Sequence, residues 1–319
     1  MANHRISKDK RALVLAMLCE GTPINAVSRM LRVGKHAVLR IIEETGEALM
    51  NYMMENFRDL PCGRVEMDEQ WQYVGCHGQR MEKKEQLRGD FWLWCAVDPD
   101  TKLVFSHRVG RRDWQTGDDF VADVAKRVRG PVQIATDNHL SYARSIKNHF
   151  GYEGYSYGTE TKIFGEPNNW NPAEHARRQK NGVPRVAKAK REAVVGSPNL
   201  GSLTTSHIER VFLSVRQELT RFTRQTLGYS KDLRMHRCAV NMFFGIYNLV
   251  RKHSTLGTTP AVAAGVEQER WGLEDVVEMT EKYWKPRLEA ADFAKAAARR
   301  IAQDAVFQKA IAAESNSHN

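Results

Sequence analysis

Paired cysteines are what this sequence most plainly lacks. Its five cysteines, Cys19, Cys62, Cys76, Cys95 and Cys238, are odd in number and form no Cys-x-x-Cys pair. That excludes a disulfide framework and a four-cysteine zinc ribbon, and Cys62, Cys76 and His77 are too few and too unevenly spaced for a zinc site. No stretch reaches the ~18 consecutive apolar residues of a membrane span, and the opening MANHRISKDKRALVL has no apolar signal core. A reducing, cytoplasmic and nucleoid-associated setting is therefore expected. Gly-x-Ser-x-Gly, P-loop and dinucleotide fingerprints are all missing, which removes the commonest hydrolase, NTPase and dehydrogenase readings. No heptad run is long enough to specify a coiled coil.

Charge, by contrast, is plentiful and lopsided. Lys plus Arg number 48 against 38 Asp plus Glu, for a net charge of +10, which favours a polyanionic partner such as nucleic acid. At 319 residues the chain has room for a catalytic core of ordinary size with accessory pieces.

The first 60 residues read as three helices: Lys8–Glu20, Pro23–Arg32, and Lys35 onward. Ala26, Val27, Met30 and Leu31 form one apolar face, and Val38, Ile41 and Ile42 another after a short Gly-containing turn, which is helix-turn-helix grammar. A recognition helix of this kind would offer Lys35, His36 and Arg40 to a major groove; a plain helical cap has the same pattern. Pro61-Cys62-Gly63 marks a boundary, beyond which 64–74, 91–97 and 103–109 read as a three-strand meander. A helix over 116–128, a strand over 131–136 and a helix over 139–150 follow. Residues 159–203 read as an irregular basic insertion carrying Arg177, Arg178, Lys180, Arg185, Lys188, Lys190 and Arg191. A strongly patterned helix is expected over 205–224 and another over 233–251, with two more near 262–277 and 290–313 in a partly disordered tail.

The acidic residues carry the chemistry. Two-metal phosphodiester cleavage needs carboxylates that converge from separate elements, and oxygen ligands suit Mg²⁺. Within 64–74, alternation puts Glu66, Asp68 and Gln70 on one face and Glu69 on the other; pattern alone does not choose among Glu66, Asp68 and Glu69. Asp137 ends a strand, where α/β sheets place ligands, although Asp there also serves as a helix N-cap. Glu209 follows Ile208 on the patterned helix at about 100° of rotation and shares a flank with Arg216, so a carboxylate and a guanidinium could face one phosphate. A solvated Glu would look the same.

Five stretches of sequence go further: MDEQWQYVG at 67–75, AVDPDTKLV at 96–104, IATDNHLSY at 134–142, SHIERVFLSVRQELTRFTRQTLGYSK at 206–231 and YNLVRKHSTLGTTPAVAAG at 247–265. The chain resembles bacterial insertion-sequence transposases of the Asp-Asp-Glu type, especially the insertion-sequence-one group, over roughly 64–265. The resemblance implies a ribonuclease H-like α/β catalytic domain, with Asp68, Asp137 and Glu209 at the three acidic positions and Arg216 at the basic position two turns beyond the glutamate. Two features depart from the group's pattern: a cysteine-rich N-terminal zinc element is missing, and the insertion before Glu209 is long.

The expected organisation is a helix-turn-helix region at 1–60, a catalytic domain with a mixed sheet at 61–260, and a helical tail at 261–319. The expected activity is DNA transposition with two Mg²⁺ ions, Mn²⁺ being able to substitute. Asp68 would contact both ions, and Asp137 and Glu209 one each. Duplex DNA ends and target are the expected partners, in a synaptic homo-oligomer. A ribonuclease H-like or junction-resolving nuclease, and a non-catalytic DNA-binding regulator, are the rival readings.

Overall fold

The computed structural model describes residues 6–78, 87–151, 154–164, 186–223 and 228–316. Three N-terminal helices, α1 (Lys8–Cys19), α2 (Ile24–Leu31) and α3 (Lys35–Asn56), precede the sheet. Strands β1 (Arg64–Val74), β2 (Gly89–Val97) and β3 (Val104–Gly110) form an antiparallel meander. After α4 (Trp114–Arg127), strand β4 (Val132–Thr136) returns parallel to β1. Helix α5 (Leu140–Phe150) then leads into β5 (Tyr155–Phe164), which is parallel to β4, and β6 (Val186–Val195) closes the sheet antiparallel to β5. The resulting order is β3-β2-β1-β4-β5-β6, a mixed six-stranded sheet of the α/β class expected.

Side-chain alternation gives the sheet two apolar faces. On one, Met67, Trp94 and Ala96 pack with Phe120, Val121 and Val124 of α4 and Tyr142 and Ile146 of α5. On the other, Phe91, Leu93, Cys95 and Val97 meet Ile208, Val211, Phe212 and Val215 of α6 (Ser206–Glu218) and residues of α7 (Leu233–Leu249). Helix α7 is apolar nearly all round because it is covered nearly all round. Val240, Phe243, Phe244 and Tyr247 face the sheet cluster, while Cys238, Ala239, Met242 and Ile246 belong to the cluster that includes α1 and α3. Its buried Asn248 accepts from the Val104 N–H at 3.0 Å and donates to the Val104 carbonyl at 2.8 Å, which pairs the free edge of β3.

The N-terminal helices are joined to this core by polar as well as apolar contacts. The buried Arg127 guanidinium at the end of α4 donates to the carbonyls of Met53 (2.9 Å) and Phe57 (3.3 Å), satisfying the C-terminal end of α3. Helices α3 and α7 cross where both carry glycine: a Cβ at Gly46 would lie 2.1 Å from the Cys238 carbonyl oxygen, and one at Gly245 would lie 2.7 Å from the Leu49 side chain.

Three expectations are corrected. Residues 155–164 and 186–195 are paired strands, so 159–203 is not irregular throughout. Lys and Ala have low strand propensity, yet Lys on an exposed edge strand such as β6 is what keeps that edge from pairing with other chains. The tail holds a short helix, α8 (Pro260–Ala263), and one continuous helix, α9 (Leu273–Asn316), in place of two separate helices. Val276, Val277 and Thr280 bury its start, and Trp284 donates to the Glu44 carbonyl at 3.0 Å. Met30 was expected on the apolar face of α2 but is 68% exposed, because only Val27 of that helix is buried.

Because backbone lies where a new methyl group would go, Gly46→Ala is expected to destabilise the fold by about 1–3 kcal/mol or more. Gly63→Ala, which meets nothing within 4 Å, serves as the control. Denaturant melts of the two variants check this, and equal midpoints would contradict the close crossing.

Candidate active site

The parallel ladder between β1 and β4 ends at Met67 opposite Thr136. The next residue on each strand is an aspartate, Asp68 and Asp137, and registered residues of parallel strands share a face. There β4 stops: the Asp137 carboxylate accepts from the His139 N–H at 3.0 Å as the chain turns into α5. His139, not Asp137, caps that helix. Strand β1 continues, and Glu69 reaches the same place from the opposite face. Carboxylate oxygens of Asp68, Glu69 and Asp137 lie within 4.8 Å of one another.

Such a cluster resists ionisation. Burial, and then the neighbouring Glu69 and Asp137, push Asp68 up to about 7, against the pull of the Glu69 N–H and of Lys162. Burial and Asp137 likewise raise Glu69, opposed by its partners. Those partners are specific: Arg112 donates to one oxygen from Nε (2.9 Å) and Nη2 (2.7 Å), and the Tyr142 hydroxyl donates to the other at 2.9 Å. Oxygen-only donors of like charge in one small volume suit a hard divalent cation.

Glu209 stands on the first turn of α6, and two buried carboxylates fix where that turn begins. Glu66 of β1 accepts from the backbone N–H groups of His207 (2.9 Å) and Ile208 (3.0 Å), with His207 Nδ1 2.6 Å from its other oxygen. Glu160 of β5 accepts from the Thr205 N–H at 2.9 Å and from the Thr204 and Thr205 hydroxyls, both at 3.2 Å. Arg191 of β6 holds the other Glu160 oxygen at 3.0 Å. Negative charge at a helix N-terminus satisfies otherwise unpaired N–H groups and opposes the helix dipole. So clasped, α6 places Glu209 beside Lys162 of β5, with which it forms an ion pair, and 3.3 Å from the Thr205 hydroxyl. The Lys162 ammonium also favours the ionised form of Asp68. The structure thus brings Asp68 and Asp137 together directly with Glu69, whereas Glu209 is outside that cluster and pairs with Lys162, whose charge also acts on Asp68.

Sequence reasoning weighed Glu66 and Glu69 only as substitutes for Asp68, and it missed Glu160. The available signal was alternation: Glu66 shares the Asp68 face, which is the face α6 covers.

The expected DNA-contacting residues are dispersed. Lys35, His36 and Arg40 are exposed along the first turns of α3. Lys188 and Lys190 are exposed on β6, Lys190 pairing with Glu192 at 2.8 Å. Arg191 is engaged by Glu160, and Arg216 is half-buried on α6. Arg177, Arg178, Lys180 and Arg185 lie outside the described residues.

No known family's sequence profile matches the chain, and no curated protein matches it. Among solved structures it aligns with a piggyBac transposase synaptic complex with hairpin DNA at 13% identity, covering 88% of this chain and 72% of that one, with a TM-score of 0.38. It also aligns with a Mos1 transposase paired-end complex with left transposon end at 14% identity, covering 47% and 58%, with a TM-score of 0.21. A Mos1 strand transfer complex aligns at 10% identity, covering 74% of each chain, with a TM-score of 0.23. Alignments at these TM-scores do not establish a shared fold.

The raised Asp68 carboxyl makes a pH prediction for the metal-free protein. Between the ordinary value of 3.8 and about 7, the folded chain keeps a proton that the unfolded chain has lost. Stability therefore falls as pH rises through that window, and the full cost is present above it. At about pH 8 Asp68→Asn should melt at least about 2 °C above the wild type, an advantage that vanishes near pH 4. Thermal melts in EDTA across the range check this, and an Asn variant no more stable at pH 8 would contradict it.

Proposed function

We propose that the chain is a DNA transposase of the Asp-Asp-Glu type, a polynucleotidyl transferase that cuts DNA at element ends to leave 3′-OH groups and transfers them to target DNA. The observation that carries this reading is the pair Asp68 and Asp137, each the next residue after the last paired position of the parallel β1–β4 ladder and held within one acidic cluster, with Glu209 on a clasped helix and paired with Lys162, which also acts on Asp68. The strand order supports a ribonuclease H-like core, since β3-β2-β1 is antiparallel and β4 and β5 run parallel to β1.

Asp68 and Asp137 would hold divalent ions, Mg²⁺ or Mn²⁺, with Glu209 as the third carboxylate. When bound, the ions would supply a clamp on the attacking and leaving oxygens of an in-line displacement. Lys162 partly neutralises the acidic cluster, and Arg216 would approach the phosphates on the same flank of α6 as Glu209. Exposed Lys35, His36 and Arg40 at the start of α3 fit a helix-turn-helix that contacts duplex DNA, and Lys188 and Lys190 would meet the backbone, so binding should weaken as salt rises. Joining two ends implies a homo-oligomeric synaptic complex, and the net charge of +10 suits a nucleoid setting. Glu69 is a second candidate for the third ligand because it already lies in the cluster. Its commitments to Arg112 and Tyr142 favour a supporting role.

A cleavage and joining assay with Mg²⁺ or Mn²⁺, on duplexes carrying the gene's flanking ends, tests the reading. Asp137→Asn and Glu209→Gln should each lose at least about 100-fold in rate, while Glu69→Gln should lose much less. Nicks without joined products would favour a nuclease, and binding without cleavage a regulator. An inactive Glu69→Gln beside an active Glu209→Gln would make Glu69 the third ligand.

A further inference from the structure

Strand β4 stops at Thr136, but its neighbours run on. Met67 of β1, Thr136 of β4 and Thr159 of β5 stand in register across the three parallel strands. One residue further, Asp68, Asp137 and Glu160 share a row and a face, the face on which Glu66 and Glu160 hold the start of α6. Strands β1 and β5 continue to Val74 and Phe164, two strand spacings or roughly 10 Å apart, with β4 no longer between them. Lys162 lies two residues beyond Glu160, so it rises from β5 on that same face, past the end of β4.

Its ammonium serves two anions. It pairs with Glu209 on the first turn of α6, and its charge favours the ionised form of Asp68. Those are the two carboxylates that a second divalent ion would have to share. Among the described residues the clustered carboxylates are Asp68, Glu69 and Asp137, and Glu209 is committed elsewhere, to Lys162 and to the Thr205 hydroxyl at 3.3 Å. The Lys162 and Glu209 side chains are 23% and 47% exposed, and an ion pair that open to water adds little to stability. Holding the fold together therefore does not account for a lysine at this position. Solvent exposure also leaves the ammonium within reach of an arriving phosphate, which lysine binds as a compact point charge on a flexible stem.

We propose that Lys162 is the resident counter-ion of the DNA-free site: its ammonium keeps Glu209 from sharing a divalent ion with Asp68 until a phosphate of bound DNA draws it away. The proposal deepens the transposase reading and rests on it. Asp68 and Asp137 then hold one ion without DNA, and Glu209 joins them only when substrate is present. By linkage the coupling is reciprocal, so DNA that engages Lys162 favours the second ion as much as that ion favours DNA. Lys162 thus touches substrate in one state and restrains Glu209 in the other, which withholds the complete set of carboxylates from a site with nothing to cut.

Counting Mn²⁺ on the DNA-free protein, from the loss of the free-ion EPR signal at a pH above 7, tests this. The wild type should hold one ion per chain, Lys162→Met two, and Lys162→Arg one. Adding Glu209→Gln to Lys162→Met should return the count to one, which ties the second ion to Glu209. The first ion should also bind Lys162→Met at least about fivefold more tightly, because a like charge no longer stands beside it. Thermal melts in EDTA verify folding: each variant should unfold cooperatively, with Lys162→Met below the wild type because the acidic cluster loses a neighbouring cation. On a phosphorothioate duplex carrying the gene's flanking ends, measured against a blank of that DNA alone, the wild type should go from one ion to two. Two ions on the DNA-free wild type, one ion on a folded Lys162→Met, or an unchanged count on a duplex that anisotropy shows to be bound overturns the proposal. The DNA-free counts do not depend on cleavage. A change from one to two in Lys162→Met of a chain that joins no DNA sinks the transposase reading alone. Joined products from a wild type that holds two ions without DNA sink the role of Lys162 alone, and a wild type that binds no ion sinks both.

Discussion

Two carboxylates held side by side where a parallel ladder ends repel each other, and at separations below 4.8 Å that repulsion is on the order of 3–4 kcal/mol in a partly screened environment. A chain folds around such a pair only if the rest of the structure holds it there. In this protein the constraint is the β1–β4 register, which places Asp68 and Asp137 one step beyond the last paired residues. Glu69 adds a third negative group to the same spot, and Arg112 and Tyr142 restrain it. The cost appears in the raised Asp68 carboxyl, and a divalent cation is the simplest means of relieving it.

The scaffold serves that register. Helices α4 and α5 cover one face of β1 and β4, and α6 and α7 cover the face of the antiparallel meander. Helix α7 lies between the sheet and α3, so the N-terminal helices bear on the same core as the acidic cluster. Helix α6 is held from two strands at once, by Glu66 and Glu160, so the position of Glu209 follows from buried carboxylates that themselves play no part in the cluster. Three glutamates that look interchangeable in sequence therefore do three different jobs: Glu66 and Glu160 cap a helix, and Glu69 bridges the cluster to an arginine and a tyrosine.

Much of this was legible in the residues. Strands β1 to β4 and the helices α4 to α7 follow from alternation and from helical spacing of Val, Ile and Phe, because burial on defined faces leaves that imprint. Strands β5 and β6 were only partly legible. In β6 the Lys, Ala and Glu residues lie on an exposed edge, so composition there reports solvent rather than core, while the internal β5 buries polar Thr159 and Glu160 in place of an apolar run. Asp137 was placed at a strand end by its run of β-forming residues. Asp68 could not be told from Glu66 and Glu69, since the choice depends on where β4 stops and where α6 docks, and both are set by tertiary packing. The same limit hid Glu160, whose partners come from elements distant in sequence.

The most direct test of the account is calorimetric titration of Mn²⁺ into the metal-free protein at a pH above 7, where Asp68 is mostly ionised. The account predicts binding that is lost in Asp68→Asn and in Asp137→Asn, both still folded, and that weakens in the wild type as pH falls below 7. Binding that survives both substitutions, or no binding to the wild type, would contradict it.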